Sequence, residues 1–270
     1  NGAGKSTFLR LCNGVYQPDE GSVSINGGEV FDSPSVKEHC VFVPDELYFL
    51  PQSNMLRMAK LYEAMYPRFS WERFDDLTGT FRLDRTRTLN TFSKGMRRQV
   101  ATILALSSMT DYVFFDETFD GLDPVMRNLV KSTLYDDVLE RGCTAVITSH
   151  SLRELEDTCD QLALLYQGGV VFESDVQNLK TSLFKVQVAF SDEYDASRFD
   201  GLDILSFSKQ GSVANMIVKG ERDRSRALIA KMDPLLLEVL PLTLEEVFLY
   251  EMESLGYYFE EPKAKGGERA

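Results

Sequence analysis

The chain begins with a run of residues suited to binding phosphate, Asn1-Gly2-Ala3-Gly4-Lys5-Ser6-Thr7. The run matches the second half of the phosphate-binding loop G-x-x-x-x-G-K-[ST], whose first glycine would precede residue 1, so we expect the chain to begin inside this loop. Small residues let backbone N–H groups curl around phosphate oxygens, the lysine reaches the β- and γ-phosphates, and the serine hydroxyl can bind Mg²⁺. A helix expected from Phe8 would add its N-terminal dipole. A glycine-rich turn that carries Lys-Ser by chance is the alternative.

Acidic side chains and a histidine follow two apolar segments that read as buried strands. Asp116 and Glu117 come directly after the run 112–115, and His150 follows the run 144–148. After a phosphate-binding loop, a carboxylate at a strand end can hold Mg²⁺ while its neighbour orients a water molecule. Taken alone, the Asp-Glu pair suits a solvated turn equally well, and a single histidine is more often structural.

A third feature is a serine and a glycine at the start of a predicted helix, within Phe92-Ser93-Lys94-Gly95-Met96, called here the Ser-Lys-Gly segment. Backbone N–H groups at a helix start can bind phosphate, although a serine there also suits a plain N-cap. The loop 119–123 follows the acidic pair, and Pro124 suits the first turn of the next helix.

Strands alternate with helices over the first part of the chain. The patterns predict strands at 40–43, 112–115 and 144–148, helices at 53–66 (capped by Ser53), 71–82 and 93 to near 109, and a hairpin within 162–172. This order predicts an α/β fold with parallel strands. We expect one domain over 1–175, with a helical subdomain at about 52–110.

The pattern changes near residue 180. Strands are predicted at 184–190, 202–207 and 213–218, and helices at 223–232 and 243–253. This predicts a small C-terminal α+β accessory domain over 180–255. Residues 256–270 are polar and rich in Lys, Gly and Glu, which predicts a disordered tail.

Charge and composition exclude several classes of protein. The formal net charge is −13, and no cluster of Lys and Arg marks a nucleic-acid surface, so nucleic acid is not expected as a partner. No apolar run approaches the roughly 18–20 residues that a membrane-spanning helix needs. The four cysteines have no C-x-x-C pairing, which predicts reduced thiols in a cytosolic protein.

Taken together and in this order, these features resemble the nucleotide-binding subunit of an ABC transporter. The resemblance covers residues 1 to about 173, and Leu242–Phe248 resembles the end of many drug-export-type ATPase subunits. It implies a P-loop NTPase (RecA-like) core with a helical subdomain, and a hydrolase that uses ATP and Mg²⁺.

The resemblance also implies roles for individual residues. In the phosphate loop, Lys5 would contact the β- and γ-phosphates, and the cradle would be completed by Asn1, Gly2, Ala3, Gly4, Ser6 and Thr7. Asp116, with Ser6, would hold Mg²⁺. Glu117 would act as the general base on the attacking water, and His150 would contact the γ-phosphate and that water.

Three further residues are implied to act between two such subunits arranged head to tail. Ser93 and Gly95 would face the ATP of the opposite subunit, and Asp123 would lie in the loop that crosses the dimer interface. ATP binding would then close the dimer, and hydrolysis would release it.

The sequence departs from the family pattern at three places. Lys94 and Met96 replace the usual residues of the Ser-Lys-Gly segment, while its serine and glycine are kept. Asp45 stands where the family has a glutamine after the strand 40–43; it can serve as a further Mg²⁺ ligand but adds negative charge near the triphosphate, and Gln52 is a weaker substitute. The aromatic residue that stacks on adenine in this family would precede residue 1.

The leading interpretation is an ATPase at the cytoplasmic face of the cell membrane that drives a separate transmembrane permease subunit. Export is the favoured direction of transport. A second ATPase subunit, identical or different, is expected as a further partner. The first alternative is an ATP-binding regulatory module that hydrolyses poorly within a heterodimer, which Glu117 and His150 argue against. The second is a non-transport ABC protein acting on ribosomes or DNA, which the acidic charge disfavours.

Overall fold

The computed structural model describes residues 2–176 and 183–254. The chain separates into two compact units. The first runs to Thr158 and includes Leu165–Val171, and the second takes Cys159–Leu164 and the described residues from Phe172 onward. The tail predicted for 256–270 lies outside the described residues.

A three-stranded parallel sheet organises the first unit. Its strands are β3 (Cys40–Val43), β4 (Tyr112–Asp116) and β5 (Thr144–Thr148), in the order β3-β4-β5. Strands β3 and β4 are almost continuously apolar and buried, as expected for strands covered on both faces. The expectation of a buried strand at 144–148 was wrong, because β5 is half-buried and its first residue, Thr144, is exposed. Parallel strands end at one edge of a sheet, so the residues that follow β3, β4 and β5 meet there. The predicted α/β fold with parallel strands is confirmed.

Helices and one small hairpin complete the first unit. The hairpin pairs β1 (Ser24–Ile25) with β2 (Gly28–Glu29), and the helices are α1 (Lys5–Cys12), α2 (Pro34–Lys37), α3 (Met55–Met65), α4 (Trp71–Thr80), α5 (Lys94–Ser107), α6 (Pro124–Arg141) and α7 (Leu152–Glu156). Helix α5 is the centre of the core because its residues from Arg98 to Ser107 are all buried. It packs with α3 and α4 and with the apolar side chains of β3 and β4.

The helix starts follow from their caps, and one predicted cap was wrong. Helix α3 starts at Met55 because the side chain of Asn54, and not that of Ser53, accepts a hydrogen bond from the N–H of Arg57 at 2.9 Å. Ser53 is buried instead. Helix α4 begins after Ser70, as predicted, but ends at Thr80 because Arg82 adopts a left-handed φ of 54°.

All four cysteines are reduced and form no disulfide, as predicted. Cys40 lies in β3, where burial raises the pKa of its thiol to about 11 and therefore makes it unreactive at neutral pH. In the described part of the chain, every helix is too short or too polar to cross a membrane.

The second unit is built on an antiparallel sheet in the order β11-β8-β10-β9, with strands β8 (Leu183–Ala189), β9 (Asp203–Gln210), β10 (Val213–Lys219) and β11 (Leu236–Pro241). Its helices are α8 (Arg222–Ala230) and α9 (Leu244–Ser254), and Ile229 of α8 packs on the apolar side chains of β8 and β10. Strand β11 was missed because Leu-Leu-Glu-Val-Leu-Pro lacks strict alternation. A further hairpin consists of β6 (Gln161–Tyr166) and β7 (Gly169–Asp175).

Candidate active site

A cavity of about 440 Å³, called here the site cavity, lies at the edge where β3, β4 and β5 end. It brings together most of the residues singled out from the sequence, and its lining consists of Gly2, Ala3, Gly4, Lys5, Ser6, Thr7, Asp45, Glu117, Asp120 and His150. Asp120 was not anticipated. Ser93, Gly95, Asp116 and Asp123 do not line this cavity, and Asn1 lies outside the described residues.

The backbone of the phosphate loop has the conformation expected from its glycines. Gly2 and Gly4 adopt left-handed φ values of 81° and 101°, which a residue with a Cβ adopts only under strain. Helix α1 starts at Lys5, three residues earlier than expected, and its first turn closes with a bond from the N–H of Phe8 to the carbonyl of Gly4 at 2.8 Å. The unpaired N–H groups of a helix start therefore lie beside the cavity, as an anion site requires.

Three groups converge on the carboxylate of Glu117. Its Oε2 atom lies 2.9 Å from Nδ1 of His150 and accepts a bond from the backbone N–H of the same histidine at 3.3 Å. Its Oε1 atom lies 3.8 Å from Nζ of Lys5. Glu117 itself has a left-handed φ of 50°, an uncommon conformation for a non-glycine residue and one that occurs at functional sites.

Asp116 is held by a neighbour that sequence reasoning did not single out. Its side chain is buried, and its Oδ1 accepts a hydrogen bond from Oγ1 of Thr148 at 2.6 Å. The two residues are register partners between β4 and β5, and the N–H of Glu117 donates to the carbonyl of Thr148 at 3.1 Å. Thr148 thus positions both members of the acidic pair.

Asp45 follows β3 and is paired with a buried cation. Its Oδ1 atom accepts from Nη2 of Arg98 at 2.7 Å, and Nη1 of the same guanidinium donates to the carbonyl of Pro44 at 3.0 Å. The side chain of Arg98 is 1% exposed, against 48% for Asp45. The negative charge expected here is therefore compensated by α5, and one carboxylate oxygen is already engaged. That Asp45 ligates Mg²⁺ stays a prediction.

The Ser-Lys-Gly segment lies against the loop 119–123. A Cβ on Gly95 would stand 2.7 Å from the carbonyl oxygen of Gly121, so only glycine fits this approach. The Nζ atom of Lys94 lies 2.5 Å from Oδ2 of Asp120, and this bond holds the pKa of the Asp120 carboxyl below its ordinary value. The segment and the loop are thereby fixed to each other.

Two residues expected to act across a dimer interface serve here as helix caps. The hydroxyl of Ser93 accepts from the N–H of Met96 at 3.2 Å, and the carboxylate of Asp123 accepts from the N–H groups of Val125 and Met126 at 3.0 Å each. Capping accounts for these residues within one chain. Their roles toward a second subunit stay predictions.

The donor set at the cavity suits a hard cation that is bound together with phosphate. Among residues 2–176 and 183–254, no group of three or more His, Cys, Asp or Glu side chains could hold a metal by itself. Mg²⁺ typically takes one or two protein oxygens and completes its shell with water and substrate phosphates. The hydroxyl of Ser6 on the cavity lining supplies an oxygen of this kind, and the carboxylate of Asp116, which is buried beside the lining residue Glu117, would supply a second.

Comparison with known proteins extends these observations. The sequence profile of the family described as "ABC transporter" matches residues 1–120, which include the phosphate loop, the Ser-Lys-Gly segment and Asp116-Glu117, while His150 lies beyond it. The ABC transporter ATP-binding protein YtrB of Bacillus subtilis is 26% identical over 250 residues, which are 92% of this chain and 85% of YtrB. The daunorubicin/doxorubicin resistance ATP-binding protein DrrA of Streptomyces peucetius is 30% identical over 190 residues, or 68% of this chain and 57% of DrrA.

A solved structure shows the same fold. The dimeric ATP-binding cassette MJ0796, bound to ADP and Pi in a post-hydrolysis state, superposes with a TM-score of 0.58 at 22% identity, covering 65% of this chain and 82% of that one. At this level of identity, the likeness concerns the fold.

Proposed function

The chain belongs to the ABC transporter family as an ATP-binding subunit that energises transport, and from this premise we propose that the site cavity binds ATP and that Glu117 and His150 carry its hydrolysis. The observation that supports this most strongly is the convergence of Lys5, His150 and Glu117 at one end of the cavity. A cation for the phosphates, a base for the water and a group that orients the base are the parts that phosphoryl transfer needs.

The triphosphate would occupy the phosphate loop, with its negative charge facing the N–H groups at the start of α1 and the ammonium of Lys5. These groups are fixed by the fold before the substrate arrives, so they meet the charge of the transition state without reorganising. Glu117 would accept the proton of the attacking water. His150 holds Oε2 of Glu117 and would keep that carboxylate aimed at the water.

Ser6 and Asp116 would hold Mg²⁺ together with the phosphates. When bound, the ion neutralises charge that develops on the phosphate oxygens. The hydrogen bond from Thr148 keeps the buried Asp116 carboxylate in place for this role.

We further propose that two such subunits bind ATP head to tail, and that they drive a separate transmembrane permease at the cytoplasmic face of the membrane. The dimeric state of MJ0796 supports the pairing of two subunits, and the head-to-tail arrangement is what the family resemblance implies. Export is the direction we propose, because the resistance role in the name of DrrA and the Leu242–Phe248 segment both favour it. The acidic charge gives no support to nucleic acid as a partner.

A regulatory subunit that binds ATP without efficient hydrolysis is the alternative. The distance of 2.9 Å between His150 and Glu117 favours hydrolysis, because both catalytic groups are present and in contact.

The test is ATP hydrolysis by the full-length protein over a range of protein concentrations, together with its isolation from detergent-solubilised membranes. We expect a rate that rises more steeply than linearly with concentration and co-isolation of a membrane-spanning protein. ATP binding without hydrolysis would favour the regulatory alternative, and isolation with ribosomes would favour a non-transport protein.

A further inference from the structure

The residues that line the site cavity carry a net negative charge. Its lining carries one lysine, Lys5, and three carboxylates, those of Asp45, Glu117 and Asp120. The formal charge of this lining is therefore about −2 with the histidine neutral, which would repel a triphosphate. Besides the N–H groups of α1 and Mg²⁺, cations outside the lining can offset this charge.

Two cations on one face of α5 contact two of these carboxylates. Lys94 and Arg98 are four residues apart, so their side chains lie on the same side of the helix. Nζ of Lys94 lies 2.5 Å from Asp120 and Nη2 of Arg98 lies 2.7 Å from Asp45, and neither cation lines the cavity itself. Adding the two cations brings the formal charge to about zero.

We propose that Lys94 and Arg98 act as positioning residues that neutralise Asp120 and Asp45, so that helix α5 sets the charge of the site cavity and with it the affinity for ATP. The inference rests on the proposed function, since it concerns the binding of the same nucleotide. The two carboxylates remain on the lining because each anchors a cation of α5. The pairs thereby tie the start of α5 to the loops after β3 and β4.

Charge neutralisation predicts whether each substitution raises or lowers the affinity for ATP, and a purely structural role does not. Lys94→Met leaves Asp120 as an uncompensated carboxylate beside the phosphates, so ATP should bind roughly two- to fivefold more weakly, the range for partly exposed charges. Lys94→Met combined with Asp120→Asn removes both charges, so the affinity should return to that of the wild type. The second substitution would thus restore the ATP affinity that Lys94→Met lowered, although it removes a further charged group from the site.

The second pair gives a different signature because Arg98 is buried. Asp45→Asn leaves this guanidinium without its carboxylate, which should lower the stability of the fold. The same change removes a negative charge from the cavity, so the affinity for ATP measured without Mg²⁺, for which Asp45 is a predicted ligand, should stay equal or rise. Lower stability of the fold together with undiminished affinity for ATP would distinguish charge neutralisation from general damage to the site.

The experiment measures the dissociation constants of ATP and AMP by calorimetry on the full-length protein at low and at high salt. The variants are Lys94→Met, Asp120→Asn, their combination and Asp45→Asn, with Lys60→Met on an exposed position of α3 as the control. We expect a larger loss for ATP than for AMP in Lys94→Met, a smaller loss at high salt, and recovery in the double variant.

An unchanged affinity in Lys94→Met, or a double variant as weak as Lys94→Met, would overturn the inference. Those results would leave the proposed function intact, because the wild type would still bind ATP. Failure of the wild type to bind ATP would instead contradict the proposed function.

Discussion

The side chain and the backbone of His150 hold the same oxygen of Glu117: Nδ1 lies 2.9 Å from Oε2, and the backbone N–H of His150 donates to it at 3.3 Å. A carboxylate only accepts hydrogen bonds, so the contact places the ring proton on Nδ1 and leaves Nε2 for another partner. The loop after β5 is thus anchored to the residue after β4 by two bonds. Removal of the ring should leave the backbone anchor in place.

Replacing His150 by alanine should therefore impair hydrolysis more than binding. We expect kcat to fall by about 10²-fold, the scale of a lost group that orients a base or stabilises transferring phosphate. The Kd for ATP should change little, because the phosphate loop is untouched. Steady-state hydrolysis and calorimetric binding check the two quantities, and a parallel loss of both would contradict the assigned role.

Replacing Thr148 by valine removes one hydroxyl and keeps the shape of the side chain. The buried carboxylate of Asp116 then loses its donor at 2.6 Å, which should cost about 1–3 kcal/mol of unfolding free energy and raise the Mg²⁺ concentration needed for half-maximal hydrolysis. Thr144→Val, at an exposed position at the other end of β5, is the matched control. Equal effects of the two substitutions in denaturant unfolding would contradict the positioning role.

Alanine at Gly95 should be destabilising, because its Cβ would lie 2.7 Å from the carbonyl oxygen of Gly121. We expect a loss of about 1–3 kcal/mol, as for other insertions into a packed contact. Gly79 in α4 offers the opposite case, since a Cβ there meets nothing within 4 Å. Gly79→Ala should stabilise the fold by up to about 1 kcal/mol, because alanine has a higher helix propensity than glycine. Thermal unfolding of the two variants tests the expected loss of stability at Gly95 and the expected gain at Gly79.

Asp111 gives an expectation for acid stability. Burial opposes its charged form, but hydrogen bonds from Arg68 and His39 outweigh burial and hold its pKa below the ordinary value. A carboxyl whose pKa is lower in the folded state stabilises the fold above its unfolded pKa, and that contribution is lost as the pH falls through the folded pKa. Asp111→Asn should thus be less stable than the wild type near neutral pH, and the difference should shrink in acid. Urea unfolding at several pH values measures it, and a constant difference would contradict the assignment.

Local sequence was sufficient to place three of the residues that line the site cavity. Lys5 begins helix α1, Glu117 follows strand β4 and His150 lies two residues after strand β5, so their neighbours along the chain reveal their place. The cavity brings together these three residues, as their positions predicted.

The partners of the acidic residues were not predictable in this way. Arg98 lies 53 residues from Asp45, and Thr148 lies 32 residues from Asp116. Such pairs depend on how α5 packs beneath the loop after β3 and on the register of two parallel strands, which no local pattern encodes. The true cap of α3 was missed for a similar reason, because two adjacent polar residues both suited the position and packing buried Ser53.

The proposed hydrolysis depends most directly on Glu117 as the base. The decisive measurement is steady-state Mg²⁺-ATP hydrolysis by full-length Glu117→Gln, with ATP binding measured on the same preparation and Glu29→Gln, at an exposed position of β2, as the control. We predict that Glu117→Gln binds ATP while its hydrolysis falls at least about 10²-fold, since glutamine keeps the shape but cannot accept the proton. Hydrolysis by Glu117→Gln at a rate close to that of the wild type would contradict the account.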